Sequence, residues 1–147
     1  MIRGAMVRSG QRSPLRSILL AYDAGAPARR ALERAAELAS ASAPSVTVIS
    51  VVPVRPGRAG TDPLDNRAMH TLAVREAKEL LWARGVRTVG FVAAGDPPRL
   101  IEQTARDGAF DLVVIGTRKL GRLGRILWGS VSDHVAAHAG RAVLIVP

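Results

Sequence analysis

Cysteine is absent from the 147 residues. That excludes disulfide scaffolds, zinc ribbons, iron–sulfur centres and thiol catalysis together, and it agrees with a reducing compartment. Aromatic residues make up only 3% of the chain, so stacking platforms for single-stranded bases are few. No run approaches the roughly 18 consecutive apolar residues of a membrane span, and the first 16 residues hold no uninterrupted apolar stretch of the kind a secretory signal needs. The expectation is a soluble, cytoplasmic protein with no membrane partner. The length leaves no room for separate cofactor and substrate domains, so function must sit within one domain or between two copies of it.

Acidic residues are also scarce: 12 Asp plus Glu stand against 21 Lys plus Arg, 19 of them Arg, for a formal net charge of +9. Anionic partners are favoured. The excess gathers in two places. Residues 1–16 carry Arg3, Arg8, Arg12 and Arg16 with no acid, and residues 118–125 carry Arg118, Lys119, Arg122 and Arg125 with none. Gly4, Ser9, Gly10, Ser13 and Pro14 interrupt the first stretch, which reads as a flexible basic extension ahead of a folded domain over 17–147.

What is plentiful is apolar sequence, 48% of the chain, arranged as short β-branched runs alternating with helical periodicity. Ile18–Tyr22, Val46–Val52, Val86–Ala93, Leu112–Ile115 and Ala142–Val146 are near-continuously apolar, as strands buried on both faces of a parallel sheet must be. Between the first two, Pro27 precedes a stripe of Ala28, Leu32, Ala35, Ala36 and Ala39 that stops before Pro44. Asp62-Pro63 opens a second helix, with Ala68, Met69, Leu72, Ala73, Ala77, Leu80 and Leu81 as its core-facing stripe and Gly85 at its end. Gly95-Asp96-Pro97 supplies an N-cap carboxylate and a first-turn proline for a third helix that buries Leu100, Ile101, Thr104 and Ala105. A fourth begins near Ser130 and carries Val131, Val135 and Ala136 up to Gly140. The fold class that follows is α/β: a three-layer, Rossmann-like, five-stranded parallel sheet with helices on both faces.

Right-handed crossovers place the first and fourth strands of such a sheet side by side, and ligands bind outside the carboxyl ends of the strands at that switch point. Attention therefore falls on Asp23–Ala26 and on the residues from Gly116 onward. The second of these, Gly116-Thr117-Arg118-Lys119 through Trp128-Gly129-Ser130-Val131-Ser132, joins glycine, positive charge and a helix start. Glycine lets backbone approach a phosphate closely, and the free amides of a helix N-terminus then point at the anion. The Ser130 hydroxyl can cap that helix or bond a phosphate oxygen.

From Ser17 to Pro147 the chain resembles the universal stress protein family. The resemblance lies in the opening strand ending in Asp23, the Gly95-Asp96-Pro97 helix start, Asp111-Leu112-Val113-Val114-Ile115-Gly116-Thr117-Arg118, and Gly129-Ser130-Val131-Ser132. The family's ATP-binding branch has a loop of Gly, two residues, Gly, nine residues, then Gly followed by Ser or Thr. Gly116, Gly129 and Ser130 fit this pattern, and Lys119 stands where those members have the middle glycine.

The resemblance implies ATP, with Mg2+ accompanying it, as ligand. Asp23 would contact the adenosine portion and Val51 would border the adenine, while Gly116, Gly129, Ser130, Val131 and Ser132 cradle the phosphates. It also implies a homodimer paired through the last strand, Ala142–Val146, and a downstream protein that reads the nucleotide state. Lys119 either blocks the phosphates or rotates out and attracts them as an ammonium, with Arg118 and Arg122 supplying further charge. Each residue also has a plainer role open to it: Asp23 as an Asx closure of the turn into the first helix, Val51 as core packing, and Arg118, Arg122 and Arg125 as a solvated basic loop.

No Walker-type Gly-x-x-x-x-Gly-Lys-Ser/Thr occurs, and no Gly-x-Gly-x-x-Gly follows the first strand. His134 and His138 have the i, i+4 spacing of a metal pair but no third ligand nearby in sequence. No nucleophile, base and orienter stand at interpretable spacing, so catalysis beyond slow ATP hydrolysis is not expected. Two rivals to the nucleotide module remain: a dimeric interaction scaffold whose nucleotide site Lys119 has closed, and nucleic-acid binding through the basic loop and tail. The second ranks lowest, because Gly121-Arg122-Leu123-Gly124 follows a strand rather than joining two helices as a KH loop does.

Overall fold

The apolar runs pair as a parallel sheet. The computed structural model describes residues 14–54, 67–117 and 130–147. Along these, strands and helices alternate as β1 (Ser17–Ala21), α1 (Ala26–Ser42), β2 (Ser45–Pro53), α2 (Arg67–Ala83), β3 (Thr88–Gly95), α3 (Pro97–Asp107), β4 (Leu112–Gly116), α4 (Ser130–His138) and β5 (Ala142–Val146). Sheet order is β3-β2-β1-β4-β5, every pair parallel, so β1 and β4 are neighbours as right-handed winding requires. The expected basic segment up to Ser13, the Asp62-Pro63 start and the loop from Arg118 to Gly129 lie outside the described residues, as does the Ser130 side chain.

Strand alternation divides the core in two. Ile18 and Leu20, Val46 and Val48, and Val114 face α1 and α2, where Ala31, Leu32, Ala35, Ala77 and Leu81 close over them. Leu19 and Ala21, Ile49 and Val51, and Val113 and Ile115 face α3 and α4, meeting Ile101, Ala105, Val135 and Ala139. At the amino ends of the strands, the Asp111 carboxylate accepts from the Arg16 and Ser17 amides at 2.9 and 3.0 Å, tying the entry to β1 against the entry to β4.

Differences from the sequence reading arise where a choice between adjacent apolar residues had to be made. α2 buries His70, Ala73, Val74, Ala77 and Leu81, whereas Ala68, Met69, Leu72 and Leu80, read as core, are exposed. Leu80 and Leu81 lie about 100° apart on the helix, and with Ala73, Val74 and Ala77 on the inner face Leu81 falls within it and Leu80 outside it. Gly90 decides the phase by letting α2 press close, since a Cβ there would stand 2.6 Å from Val74 Cγ1. β3 begins at Thr88, not Val86; the Val86 amide instead bonds the Leu81 carbonyl at 3.0 Å and closes the turn out of α2. Asp96 holds the N-cap position of α3 without a side-chain cap bond, its carboxylate lying 3.8 Å from Arg99 Nε. In α4, Ala136 is exposed, and Val135 and Ala139 do the packing.

Candidate functional site

Crossovers leave β1 and β4 toward opposite faces of the sheet, which makes their carboxyl ends the switch point of the topology. The ladder continues past β1, the Tyr22 amide bonding the Ile49 carbonyl at 2.9 Å, and delivers Asp23 to the rim. Asp23 Oδ1 accepts from the Gly25 amide at 2.8 Å, an Asx closure of the turn. Ala24 within it adopts φ +62°, a left-handed conformation a side chain resists by roughly 1–2 kcal/mol. The carboxylate is thus held over the entry to α1, whose N-cap Gly25 has no side-chain cap and whose first turn holds no acid. That end of α1 presents the positive pole of the helix uncompensated by side chains of its own first turn.

Gly116, the last residue of β4, lies under the same turn. A Cβ there would fall 2.4 and 2.5 Å from the carbonyl carbon and oxygen of Pro27 and 2.8 Å from the Ala28 nitrogen, all backbone. Only glycine lets α1 start this close to the end of β4. The next residue, Thr117, is buried, and its amide bonds the Val146 carbonyl at 2.9 Å, anchoring the departing loop to β5. After the loop, α4 begins at Ser130; Val131 packs against the α3–α4 core, and Ser132 is 1% exposed. Val51 stands at 9% exposure in that same core. Asp23, Val51, Gly116 and the first turn of α4 therefore meet at one end of the sheet, while Arg118, Lys119 and Gly129 fall outside the described residues.

Sequence reasoning missed three features. Thr117 is buried and tied to β5, which no pattern around it signals. Behind the site, the Tyr22 hydroxyl donates to Glu76 Oε1 at 3.0 Å and Arg29 Nε reaches the same oxygen at 3.1 Å, joining β1, α1 and α2 across residues far apart in sequence. Burial, reinforced by the hydrogen bond to Glu76, pushes the Tyr22 phenol up to about 12. The third is a Ser50 Oγ–His70 Nδ1 hydrogen bond of 2.7 Å inside the α1–α2 core. It pairs a nucleophile with a base where no substrate can reach, Ser50 being buried. No periodicity signals any of these, because each depends on which helix lies over which strand.

His134 and His138 stack with ring centroids 4.3 Å apart, His134 Nε2 lying 3.3 Å from Glu102 Oε2 and His138 Nδ1 donating to the His134 carbonyl. Among the described residues no cluster of three or more His, Cys, Asp or Glu could hold a metal ion, and no helix is long and apolar enough to cross a membrane.

The chain has counterparts among known proteins. A universal stress protein of Thermus aquaticus is 34% identical over 135 residues, spanning 89% of this chain and 98% of that protein. A solved universal stress protein from Archaeoglobus fulgidus aligns with a TM-score of 0.77 and 25% identity over 90% of this chain and 98% of its own. A second, solved in complex with cAMP, aligns at 0.72 and 25% identity over 92% and 99%. The family described as the universal stress protein family matches residues 14–147, the whole of the sheet and all four helices, and with the architecture, the switch-point geometry and this match in agreement, the chain belongs to the universal stress protein family.

Proposed function

We propose that this protein is a nucleotide-responsive regulatory module of the stress response that binds ATP with Mg2+ at the carboxyl ends of β1, β2 and β4. Asp23 holds the adenosine portion while keeping its Asx bond, and Val51 borders the adenine. Gly116, Gly129, Ser130, Val131 and Ser132 cradle the phosphates, and Arg118 and Lys119 add positive charge along them. Mg2+, when bound, offsets charge on the phosphates, and hydrolysis is at most slow. The observation that carries the reading is Gly116. Its contact with the Pro27–Ala28 backbone brings the uncapped start of α1 to the switch point between β1 and β4, where anions gain from the helix pole.

Two copies pair through β5, whose outer edge would otherwise be open and whose Val143, Leu144 and Ile145 are half-buried against the core. Nucleotide occupancy biases a surface that a downstream protein reads. Lys119 favours a second reading, a dimeric scaffold with the phosphate cradle closed.

Calorimetric titration with Mg-ATP, beside adenosine and tripolyphosphate, separates the two at about 0.15 M salt, where exposed charges are largely screened. Saturable binding that needs both the adenosine and the phosphates, and that Asp23→Ala and Gly129→Val each weaken, is expected. Binding matched by tripolyphosphate alone, or none, establishes the scaffold.

A further inference from the structure

We infer that the open edge of β3, with the groove between it and α2, is a docking site for an extended acidic segment of a partner protein, added to the sheet as a sixth strand. The inference is independent of the nucleotide reading and concerns the opposite edge of the sheet from β5.

Backbone direction comes first. The Val46 amide bonds the Arg87 carbonyl and the Val54 amide bonds the Gly95 carbonyl, both at odd-numbered positions of the third strand and its flank. In a parallel ladder the alternate residues turn their amides and carbonyls the other way, so Thr88, Gly90, Val92 and Ala94 present theirs outward from β2. The structure confirms this at Thr88, whose carbonyl is reached from outside by Trp82 Nε1 at 3.1 Å. Beyond Trp82, the groups of Gly90, Val92 and Ala94 have no partner among the described residues. Edge strands are normally protected by charge, proline or a bulge; β3 reads Thr-Val-Gly-Phe-Val-Ala-Ala-Gly and has neither a charge nor a proline.

Side chains then specify the occupant. A groove of about 460 Å³ runs along this edge, lined on its α2 side by Arg67, Arg75, Lys78 and Trp82 and on its β3 side by Gly90 and Val92. Its one acid, Glu79, is engaged by Arg75 at 2.9 Å. Lys78 lies 4.8 Å over the Trp82 ring, and among the described residues neither it nor Arg67 has a carboxylate partner. On the opposite face, Val89 and Phe91 are 64% and 41% exposed. A strand laid on this edge would turn alternate side chains toward the cations of α2 and the others toward Val89 and Phe91. The recognised pattern is therefore acidic and apolar residues in strict alternation, with main-chain bonds for affinity and side chains for specificity. A second copy does not fit, since it would bring one cationic groove against another. Nor does this chain's own amino-terminal stretch, whose first 16 residues carry four arginines and no acid.

The test uses the full chain and a labelled, end-blocked probe of sequence Glu-Val-Glu-Val-Glu-Val, beside its Lys-Val counterpart and a Glu-Glu-Glu-Val-Val-Val probe of equal composition. Anisotropy at about 0.15 M salt should show saturable binding of the alternating acidic probe and at least about tenfold weaker binding of the other two. Saturation should slow hydrogen exchange at the Gly90, Val92 and Ala94 amides, leaving Val89 and Phe91, already bonded to β2, unchanged. Arg67→Glu with Lys78→Glu should weaken the probe at least about tenfold, and Val92→Pro, which removes an outward amide, should abolish binding. Should the proline variant fail to fold, the charge reversal and the exchange pattern decide. Equal affinity for the three probes overturns the inference, as does unchanged exchange at the outward amides. Protection of those amides that rises with protein concentration and without probe overturns it in favour of self-pairing.

Discussion

Two glycines show how differently the same residue is used. Gly116 is required by what stands against it, the backbone of Pro27 and Ala28 within 3 Å of an added Cβ, and neither of those groups can swing aside. Gly85 has nothing within 4 Å and is required by its φ of +75° alone. Gly116→Ala should cost about 2–3 kcal/mol of unfolding free energy and displace α1, Gly85→Ala about 1 kcal/mol. Urea denaturation compares them, and equal costs would show that the α1 contact yields freely. Tyr22, the one tyrosine of the chain, reports its own burial. Its phenol is raised from an ordinary 10.0 to about 12, first by desolvation and then by Glu76. A raised value in the folded state adds stability that is complete below about 10 and disappears as pH climbs toward 12. At pH of about 10.5 the native protein should show little phenolate absorbance, while in denaturant most of the phenol is ionised. Ionisation at the same pH in both states would remove Tyr22–Glu76 as a part-buried link behind the candidate site.

At the scale of elements, helices over a sheet are selected in rotation by the closest contact available. α2 settles with Ala73, Val74 and Ala77 against β2 and β3 because Gly90 admits Val74, which turns Leu72 and Leu80 into solvent. Leu72→Glu is accordingly expected to change stability by less than about 0.5 kcal/mol. Leu81→Ala, at a fully buried position, should cost about 2–5 kcal/mol. Thermal or urea unfolding of the pair reads the phase of the helix directly; a large loss at Leu72 would restore the rotation that periodicity suggests. The presence of α2 was legible because apolar residues recur along it. Its rotation was not, because Met69, Leu72 and Leu80 are as apolar as the residues that are buried. The α1 stripe had no such rival, and Ala28, Leu32, Ala35, Ala36 and Ala39 are all in the core.

Across the whole molecule, the two ends of the sheet have different tasks. The amino end is closed by Asp111, whose carboxylate is held below its ordinary 3.8 chiefly by the Arg16 amide and then by that of Ser17. A lowered value in the folded state contributes stability that is present above the ordinary carboxylate range and lost as pH falls through the lower value. Asp111→Asn should therefore flatten the acid limb of a melting temperature–pH profile and narrow its gap from wild type at low pH. An unchanged acid limb would show that the clamp is made only by the uncharged hydrogen bonds. Because Asp111 is exposed, the effect should be small.

The linear order of residues alone determined the fold class. Continuous β-branched runs demand a sheet covered on both faces, helix-length connections demand parallel strands, and handedness then places β1 beside β4. Sequence also located the switch point at Asp23 and Gly116 and supplied the family resemblance. Tertiary structure decided what a one-dimensional pattern does not encode: the contact that makes Gly116 irreplaceable, the Tyr22–Glu76–Arg29 link, the phase of α2, and which amides of β3 face outward. Each depends on the distance and rotation between elements remote in sequence. Periodicity specifies which residues share a face, but only packing specifies what that face meets.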